Sequence, residues 1–436
     1  MSDFDDDYDI RTFAAALSPE STDDRPRADD ETAAWIRAEA LGFHEAAPDD
    51  DAVGRTARRL VADGRVETGV HPRDPREGAL DGDGLPVATF ESFVESLNVG
   101  GGRLIDAHLI SGVTVQPTHR RRGILRRMMT DDLARAKSAG LAVAALTASE
   151  GSIYRRFGFG VGVRERTIEV DPRRASGLLG DPEGGVELVS RDALIGLAPE
   201  VFARFHARTP GSIDRHEGAW NRLLGRERPD GTPDPAVRGA VHRDSAGTID
   251  GYVAYRLEGE NETHTLVVLD LVAATDDAYL GLWQLLLSVD LVTGVRFAGA
   301  SQSDPIGHAL VNGRALRVTH DEDHVWFRIL DTVAALQARP WAADGVVTIA
   351  VGDSLGHAAG TFRVTSEGGS ATVKRAAVRR ADIELDVATL GSLWLGGVDP
   401  VTLAAAGLVR ERRKGAVQTV RAMIAADRPV HSITHF

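Results

Sequence analysis

The chain contains no cysteine, and this absence excludes several kinds of chemistry at once. Disulfide bonds, thiolate metal sites and a cysteine nucleophile are all ruled out, so no acyl group can be carried on a cysteine. The sequence also lacks an apolar run of the length that crosses a bilayer, about 20 residues. Its acidic start, residues 1–8, has no apolar segment like that of a secretion signal. These absences predict a cytoplasmic protein with no membrane partner.

Lysine is scarce, so the positive charge consists almost entirely of arginine. The net charge is -14, and Lys137, Lys374 and Lys414 are the only lysines among 50 basic residues. This surplus of acid argues against nucleic acid as a partner, because binding to phosphates depends on basic side chains. Acidic stretches, such as residues 49–51 and 321–323, recur along the chain. They fit a salt-adapted host and the codon bias of a GC-rich genome equally well, and the sequence leaves both open.

What the chain does contain is the pattern of a globular α/β protein. It has 436 residues, 43% of them hydrophobic and 26% charged, which predicts two or three domains. Strand and helix patterns alternate and divide the chain into three units, residues 1–170, 171–322 and 323–436.

Each unit has its own predicted elements. The first contains strands over residues 8–14, 87–94, 103–115, 141–146 and 161–170, helices over 35–43, 124–139 and 149–157, and a loop over 71–84. The second repeats the order of two strands and a helix, over residues 251–257, 265–274 and 279–291. The third has helices over 332–338 and 387–394, with strands over 346–350, 360–365 and 371–375 between them.

A basic turn between a strand and a helix in the first unit carries the first functional signal. Helix N-terminal N–H groups, the helix dipole and a glycine without Cβ together suit a pyrophosphate. The end of the strand, the turn and the start of the helix are formed by Val113, Thr114, Val115, Arg121, Arg122, Gly123, Ile124, Leu125 and Arg126. By itself the Arg-x-x-Gly pattern is weak, since a solvated basic turn before an amphipathic helix has the same sequence.

A second motif follows about 30 residues later, after one helix and one buried strand. It is Tyr-x-x-x-Gly-Phe, formed by Tyr154, Gly158 and Phe159. A phenol with a pKa near 10 is a competent acid toward a departing thiolate, whose pKa is about 8.5. Tyr154 alone fits an ordinary core tyrosine equally well, but the two motifs at this spacing favour catalysis.

The two motifs at this separation resemble the hallmark motifs of the GNAT acetyltransferase superfamily. More narrowly, the chain resembles the Eis (enhanced intracellular survival) family, on the stretches VTVQPTHRRRGILR from Val113 and SEGSIYRRFG from Ser149. Leu125 stands where many superfamily members have Gly or Ala, as is common in the Eis family. The resemblance implies two GNAT-like domains, a sterol-carrier-protein-like α+β domain, and a hexamer built from two trimers.

The resemblance also implies a role for each site residue. Acetyl-CoA would be held by the strand, turn and helix residues named above, together with Ser149 and Glu150. Tyr154 would be the general acid, and the α-carboxylate of the last residue, Phe436, the general base. The substrate would be a primary amine, which is aminoglycoside-like, polyamine-like or a lysine. The second unit has no basic glycine turn and is expected to be catalytically silent.

Two alternatives to a small-amine acetyltransferase stay open. The C-terminal unit could hold a lipid, which would make the protein a carrier, although a carrier would not need the two motifs. A protein lysine acetyltransferase differs only in the acceptor. A metal centre is not expected, because the chain has no cysteine ligand and no histidines are interpreted as a His-x-x-x-His pair or as a zincin site with a glutamate; His324, His431 and His435 are taken as structural or surface residues.

Overall fold

Two β-sheets organise the chain in the computed structural model, which describes residues 4–75, 78, 80, 82, 84–228, 230–259, 264–376 and 380–436. One sheet has twelve strands and the other has five, with helices packed against both. The predicted mixed α/β class is confirmed. No helix within these ranges is long and apolar enough to cross a membrane.

The first unit supplies one half of the larger sheet. Its helices are α1 (Phe4–Asp7), α2 (Asp30–Gly42), α3 (Asp50–Ala62) and α4 (Ile124–Ser138), and its strands are β1 (Tyr8–Ala14), β2 (Val66–Pro72), β3 (Ala88–Asn98), β4 (Leu104–Val115), β5 (Val143–Thr147) and β6 (Gly160–Val170). Helix α3 and strand β2 were not predicted. In the predicted loop over 71–84, residues 76, 77, 79, 81 and 83 lie outside the described residues.

The second unit supplies the other half. It contains α5 (Pro172–Ala175), β7 (Gly185–Val189), α6 (Arg191–Arg208), α7 (Glu217–Leu223), β8 (Arg238–Arg243), β9 (Ile249–Glu258), β10 (His264–Ala273), α8 (Asp276–Ser288), β11 (Val292–Ser301), α9 (Ile306–Ala309) and β12 (Leu316–Ile329). The predicted order of two strands and a helix corresponds to β9, β10 and α8.

The two halves exchange strands where they meet. The order in the sheet is β1-β2-β3-β4-β5-β12-β6-β11-β10-β9-β8-β7, so β12 lies between β5 and β6. Val325 of β12 pairs with Thr147 of β5 on one side and with Val163 of β6 on the other. Strand β6 in turn pairs with β11 of the second unit. A strand of the second unit therefore lies between two strands of the first, and a strand of the first lies between two strands of the second.

Strands β4 and β5 are parallel but pair over a short stretch only. Their ladder ends at Ile110 and Leu146, although β4 continues to Val115. Gly112 lies in a bulge of the β3–β4 ladder with φ +58°, and a Cβ there would lie 2.9 Å from Trp35. A bulge bends its strand. The bend at Gly112 therefore turns the end of β4 away from β5 and opens a gap between them.

The third unit forms the five-stranded sheet and packs against the larger one. It contains α10 (Thr332–Ala338), β13 (Gly345–Gly352), β14 (Gly360–Glu367), β15 (Ser370–Arg375), β16 (Ile383–Asp386), α11 (Val387–Leu393), α12 (Pro400–Ala405), β17 (Val409–Glu411) and α13 (Ala416–Ile424). The contact is close, since a Cβ on Gly160 of β6 would overlap the carbonyl of Ala388 in α11. Strand β12 passes through the predicted boundary at residue 323, and the unit boundaries stay predictions.

Candidate active site

The basic turn before α4 leaves the N-terminus of this helix without a side-chain cap. The helix begins after Gly123, whose φ is +87°, and Arg121 also has a positive φ of +64°. A Cβ on Gly123 would meet no atom within 4 Å, so the space above it is open. By contrast, α2 is capped by Asp29 and α3 by Asp49. The first N–H groups of α4 are therefore free to bind an anion from outside.

The arginines of this turn are exposed, and Arg122 also forms hydrogen bonds within the protein. Arg122 donates hydrogen bonds to the hydroxyl of Tyr8 (3.1 Å) and to the carbonyl of Thr118 (3.2 Å), so it stabilises the turn. Arg121 and Arg126 are exposed. Their charges add to the positive end of the helix dipole and favour an anion at this point.

A cavity of about 370 Å³ lies in the gap between β4 and β5. It brings together four of the predicted site residues, Val113, Ser149, Tyr154 and Phe436. Thr114 does not line it, because its side chain is buried and its hydroxyl lies 2.6 Å from that of Thr89. The remaining lining residues are Phe43, Ile110, Ser111, Gly112, Leu146, Thr147, Ala148, Glu165, Glu322, Asp323, His324 and His435.

Tyr154 begins a short 3-10 helix, Tyr154–Phe157, and its side chain is only 6% exposed. Burial raises the pKa of its phenol, and the nearby Glu150 raises it further. The phenol is therefore protonated at neutral pH and able to donate a proton. Gly158 ends the helix with φ +88°, where a Cβ would lie 2.7 Å from the side chains of Arg328 and Val387. This close packing explains the glycine of the second motif.

The C-terminal segment after α13 crosses from the third unit into this cavity. His431 donates its backbone N–H to the carbonyl of Pro210 at 2.8 Å, and Thr434 donates its hydroxyl to the carbonyl of Ile213 at the same distance. Ser432 and Thr434 are fully buried. These contacts attach the extended segment to the second unit and direct its last residue toward β5.

Phe436 is held at both of its ends. The hydroxyl of Thr147 donates a hydrogen bond of 2.6 Å to its carboxyl group. Its ring packs edge to face against Phe93, with ring centroids 6.0 Å apart. The carbonyl of the preceding residue, His435, lies 2.9 Å from Nε2 of His216. The terminal carboxyl group therefore reaches the same cavity as Tyr154.

Histidines and a glutamate surround the segment where it enters the cavity. Burial lowers the pKa of His324 to about 3, that of His216 to about 4 and that of His431 to about 4. Burial alone would raise the pKa of Glu165, but the adjacent His435 and His324 bring it below its usual value. At neutral pH the three imidazoles are uncharged and Glu165 is an anion.

A second group of carboxylates lies behind the wall of the cavity. Arg65 pairs with Glu91 at 2.5 Å and stacks over Phe93 at 4.1 Å from the ring centroid. Burial, followed by the charge of Glu91, raises the pKa of Glu67 to about 10 and that of Glu39 to about 8. The group therefore combines the Arg65–Glu91 pair with two carboxyl groups that are protonated at neutral pH, Glu39 and Glu67.

The corresponding helix of the second unit offers no anion site. The hydroxyl of Thr275 accepts a hydrogen bond of 3.1 Å from the N–H of Ala278 and thereby caps α8. Asp276 and Asp277 follow in the first turn, where they compensate the dipole and repel a phosphate.

The sequence did not predict that several other residues belong to the site. They are Thr147, Glu165, His216, His324 and His435, which come from five separate segments. The His-x-x-x-His spacing does occur twice, at 320–324 and 431–435, but not on helices. The residues taken as structural or surface histidines are brought around Glu165 by the fold.

Comparisons with known proteins agree with this architecture. Residues 24–162 and 211–329 each match an acetyltransferase (GNAT) domain, and residues 332–432 match a sterol carrier protein domain. An uncharacterized N-acetyltransferase of Streptomyces avermitilis is 39% identical over 93% of this chain and 96% of its own. The N-acetyltransferase Eis of Mycobacterium tuberculosis is 32% identical over 83% of this chain and 88% of its own.

A solved structure extends this likeness to three dimensions. The crystal structure of Eis1 from Mycobacterium abscessus covers 98% of this chain and 100% of its own, with a TM-score of 0.79 and 29% identity. The predicted succession of two GNAT domains and a sterol-carrier-like domain is confirmed. The chain is thus an N-acetyltransferase and belongs to the Eis family of the GNAT superfamily.

Proposed function

We propose that this acetyltransferase moves the acetyl group of acetyl-CoA to a primary amine by direct attack. One observation carries the proposal: Tyr154 and the carboxyl group of Phe436 line a single cavity at the gap between β4 and β5. A proton donor and an anion thus flank one opening in the sheet. The absence of cysteine supports a ternary complex over an acyl-enzyme.

The donor site follows from the uncapped N-terminus of α4. The pyrophosphate of acetyl-CoA binds the free N–H groups that follow Gly123, with Arg121 and Arg126 adding charge. The rest of the cofactor lies along the end of β4, residues 113–115, whose edge is not paired with β5. Ser149 lines the inner end of this path, and Glu150 follows it at the surface. The thioester then lies within reach of Tyr154.

The nitrogen of the ammonium group loses two protons in the reaction, and the thiolate gains one. The carboxylate of Phe436, the anion that faces the ammonium group, takes the first proton and frees the amine. The amine nitrogen then attacks the thioester carbonyl, the C–N bond forms, and the C–S bond breaks. The departing thiolate takes a proton from the phenol of Tyr154, which burial keeps protonated. The second proton leaves the nitrogen as the amide forms and restores the phenol through solvent.

The carboxylate of Phe436 acts mainly through its position. A free α-carboxylate has a pKa of about 3.5, which makes it a weak base in water. Held by Thr147 and partly desolvated, it orients the amine and accepts the proton directly or through a water. This use of a chain terminus requires no other base in the cavity.

The acceptor is a cationic amine, because the cavity is lined by carboxylates. Glu165, Glu322 and Asp323 lie around the opening and add to the charge of Phe436. An acidic opening attracts ammonium groups and holds them near the thioester. Aminoglycoside-like and polyamine-like molecules fit this pattern, and so does the side chain of a lysine.

The second unit supports the site without catalysing a reaction of its own. Its α8 N-terminus is capped by Thr275, and its carboxylates oppose phosphate binding. We therefore propose one acetyl-CoA per chain, together with the hexamer of two trimers and the cytoplasmic location that the family resemblance suggests. Calorimetric titration tests the stoichiometry, and two equivalents of acetyl-CoA per chain would contradict it.

Release of free thiol from acetyl-CoA, measured over a panel of amines, tests the reaction. We expect turnover with at least one aminoglycoside, polyamine or lysine peptide, and none without an amine. If no amine is turned over and acetyl-CoA does not bind, the lipid-carrier function of the C-terminal unit becomes the better account.

A further inference from the structure

Three side chains from three different elements converge beside Phe436. Glu165 lies on β6, His324 on β12, and His435 in the C-terminal segment. Nε2 of His435 lies 3.2 Å from Oε2 of Glu165, and Nδ1 of His324 lies 3.8 Å from Oε1 of the same carboxylate. One donor atom from each residue falls within 4.8 Å of the other two.

A break in the β-ladder explains how His324 reaches this position. Asp323 pairs with Arg164 and Val325 pairs with Val163, so His324 has no partner on β6. It is the extra residue of a β-bulge, and such bulges re-aim side chains, often near functional sites. In a regular ladder, its side chain would follow the alternation of β12.

The imidazole of His324 is buried without satisfying its hydrogen-bonding groups. It is 2% exposed, and its Nε2 atom has no hydrogen-bond partner among the described residues. Native proteins seldom leave a buried polar atom unpaired, because the lost hydration is not compensated. The other ring nitrogen, Nδ1, is the atom that faces Glu165.

Two imidazoles and one carboxylate are a ligand set of catalytic zinc sites. In tetrahedral coordination, with metal–ligand distances near 2.1 Å, donor atoms lie about 3.4 Å apart. The two measured separations, 3.2 and 3.8 Å, end on different oxygens of Glu165 and lie on either side of this value.

We propose that Glu165, His324 and His435 bind a divalent cation of the zinc type. A cation bound there joins β6, β12 and the C-terminal segment at one point. It thereby attaches His435, the residue that precedes Phe436, to the larger sheet. Binding of the cation requires neither acetyl-CoA nor an amine.

Titration of the full-length chain with zinc, against a chromophoric zinc chelator, tests the site. The protein carries no histidine tag and is first stripped of metal. We expect one zinc per chain at micromolar or lower concentration. We also expect zinc to raise the thermal midpoint of unfolding, because a ligand that binds only the folded state stabilises it.

Two variants and one control distinguish this site from surface binding. His324→Ala and His435→Gln should each weaken zinc binding by at least about tenfold and abolish the thermal shift. The His324→Ala change removes a buried side chain, so this variant can fail to fold. His435→Gln alters a half-exposed side chain, so we expect this second variant to keep the fold intact. His320→Ala, an exposed histidine on the same strand, should bind like the wild type. No binding by the wild type at micromolar zinc, or unchanged binding by both His435→Gln and a folded His324→Ala, would overturn the proposal.

Discussion

The hydroxyl of Thr147 donates a hydrogen bond to the carboxyl group of Phe436, 289 residues further along the chain. Thr147 is the last residue of β5, at the point where β4 and β5 separate. A strand end of the first GNAT domain therefore fixes the end of a segment that starts in the third unit. This bond is a short contact between the sheet and the proposed catalytic carboxylate.

Removal of this hydroxyl should lower turnover. Thr147→Val keeps the shape of the side chain but cannot donate to the carboxylate, and a hydrogen bond to a charged group contributes about 1.5–3 kcal/mol. We expect kcat to fall about tenfold or more, while acetyl-CoA affinity is retained. Thr147→Ser should restore most of the rate. Equal rates for the valine and serine variants would show that the bond plays no part.

Changes at Phe436 should separate charge from packing. Deleting Phe436 moves the carboxylate by one residue and removes the ring that packs on Phe93. Appending a few residues keeps the ring but converts the carboxylate into an amide. Both changes should abolish most thiol release, with acetyl-CoA binding and the thermal midpoint retained. The same residues appended at the N-terminus serve as the control, and a normal rate in the C-terminally extended protein would refute the assignment.

Loss of the phenol at Tyr154 should affect chemistry more than binding. Tyr154→Phe removes only the proton donor, so kcat should fall by roughly 10²–10⁴-fold with little change in KM for acetyl-CoA. Tyr255, which is buried in the second unit, provides a matched control, since Tyr255→Phe should leave the rate unchanged. A near-normal kcat for Tyr154→Phe would make Tyr154 a packing residue.

Two glycines at opposite ends of α4 allow a matched test of the pyrophosphate site. Gly123 and Gly140 have φ values of +87° and +86°, and a Cβ on either meets no atom within 4 Å. An alanine is equally strained at both positions, at a cost of about 1 kcal/mol. Gly123→Ala should also obstruct the approach of a phosphate and raise KM for acetyl-CoA, whereas Gly140→Ala should not. Equal KM values in the two variants would contradict the proposed site.

The buried carboxyl of Glu67 should make stability depend on pH. Its pKa is raised to about 10 in the folded chain, so the folded state retains a proton that the unfolded state loses above pH 4.5. Stability therefore falls as pH rises between these two values. Glu67→Gln should lessen this fall, with a gain in the free energy of unfolding that grows from about pH 5 to about pH 9. Urea unfolding at several pH values measures it, with the exposed Glu187→Gln as control; a gain independent of pH would contradict this role.

The sequence predicted local features well because their causes are local. The helix from Ile124, the turn at Gly123 and the tyrosine motif depend on neighbouring residues, and all three occur where they were expected. The resemblance to the Eis family then predicted a catalytic role for Phe436. The residues around Phe436 contain no pattern that indicates this role.

Features that depend on sheet topology could not be predicted in this way. No local signal states that β12 inserts between β5 and β6, because the pairing joins distant segments. His320 and His324 have a helical metal-site spacing but lie on a strand, where residues four apart are about 13 Å from each other. The partner that His324 meets instead, His435, arrives by the path of the C-terminal segment.

The exchange of strands also bears on the synthesis of the chain. Val325 must be made before β5 can pair along its free edge at Thr147. At roughly 5–20 residues per second, the ribosome needs roughly 10–40 s to proceed from Thr147 to Val325. During that time the first GNAT unit exposes the apolar edge strand β5 and leaves β6 without either of its final neighbours. An open edge of this kind pairs readily with other chains. The nascent chain should therefore depend on holding chaperones during this interval, and a chain stopped at residue 170 should aggregate.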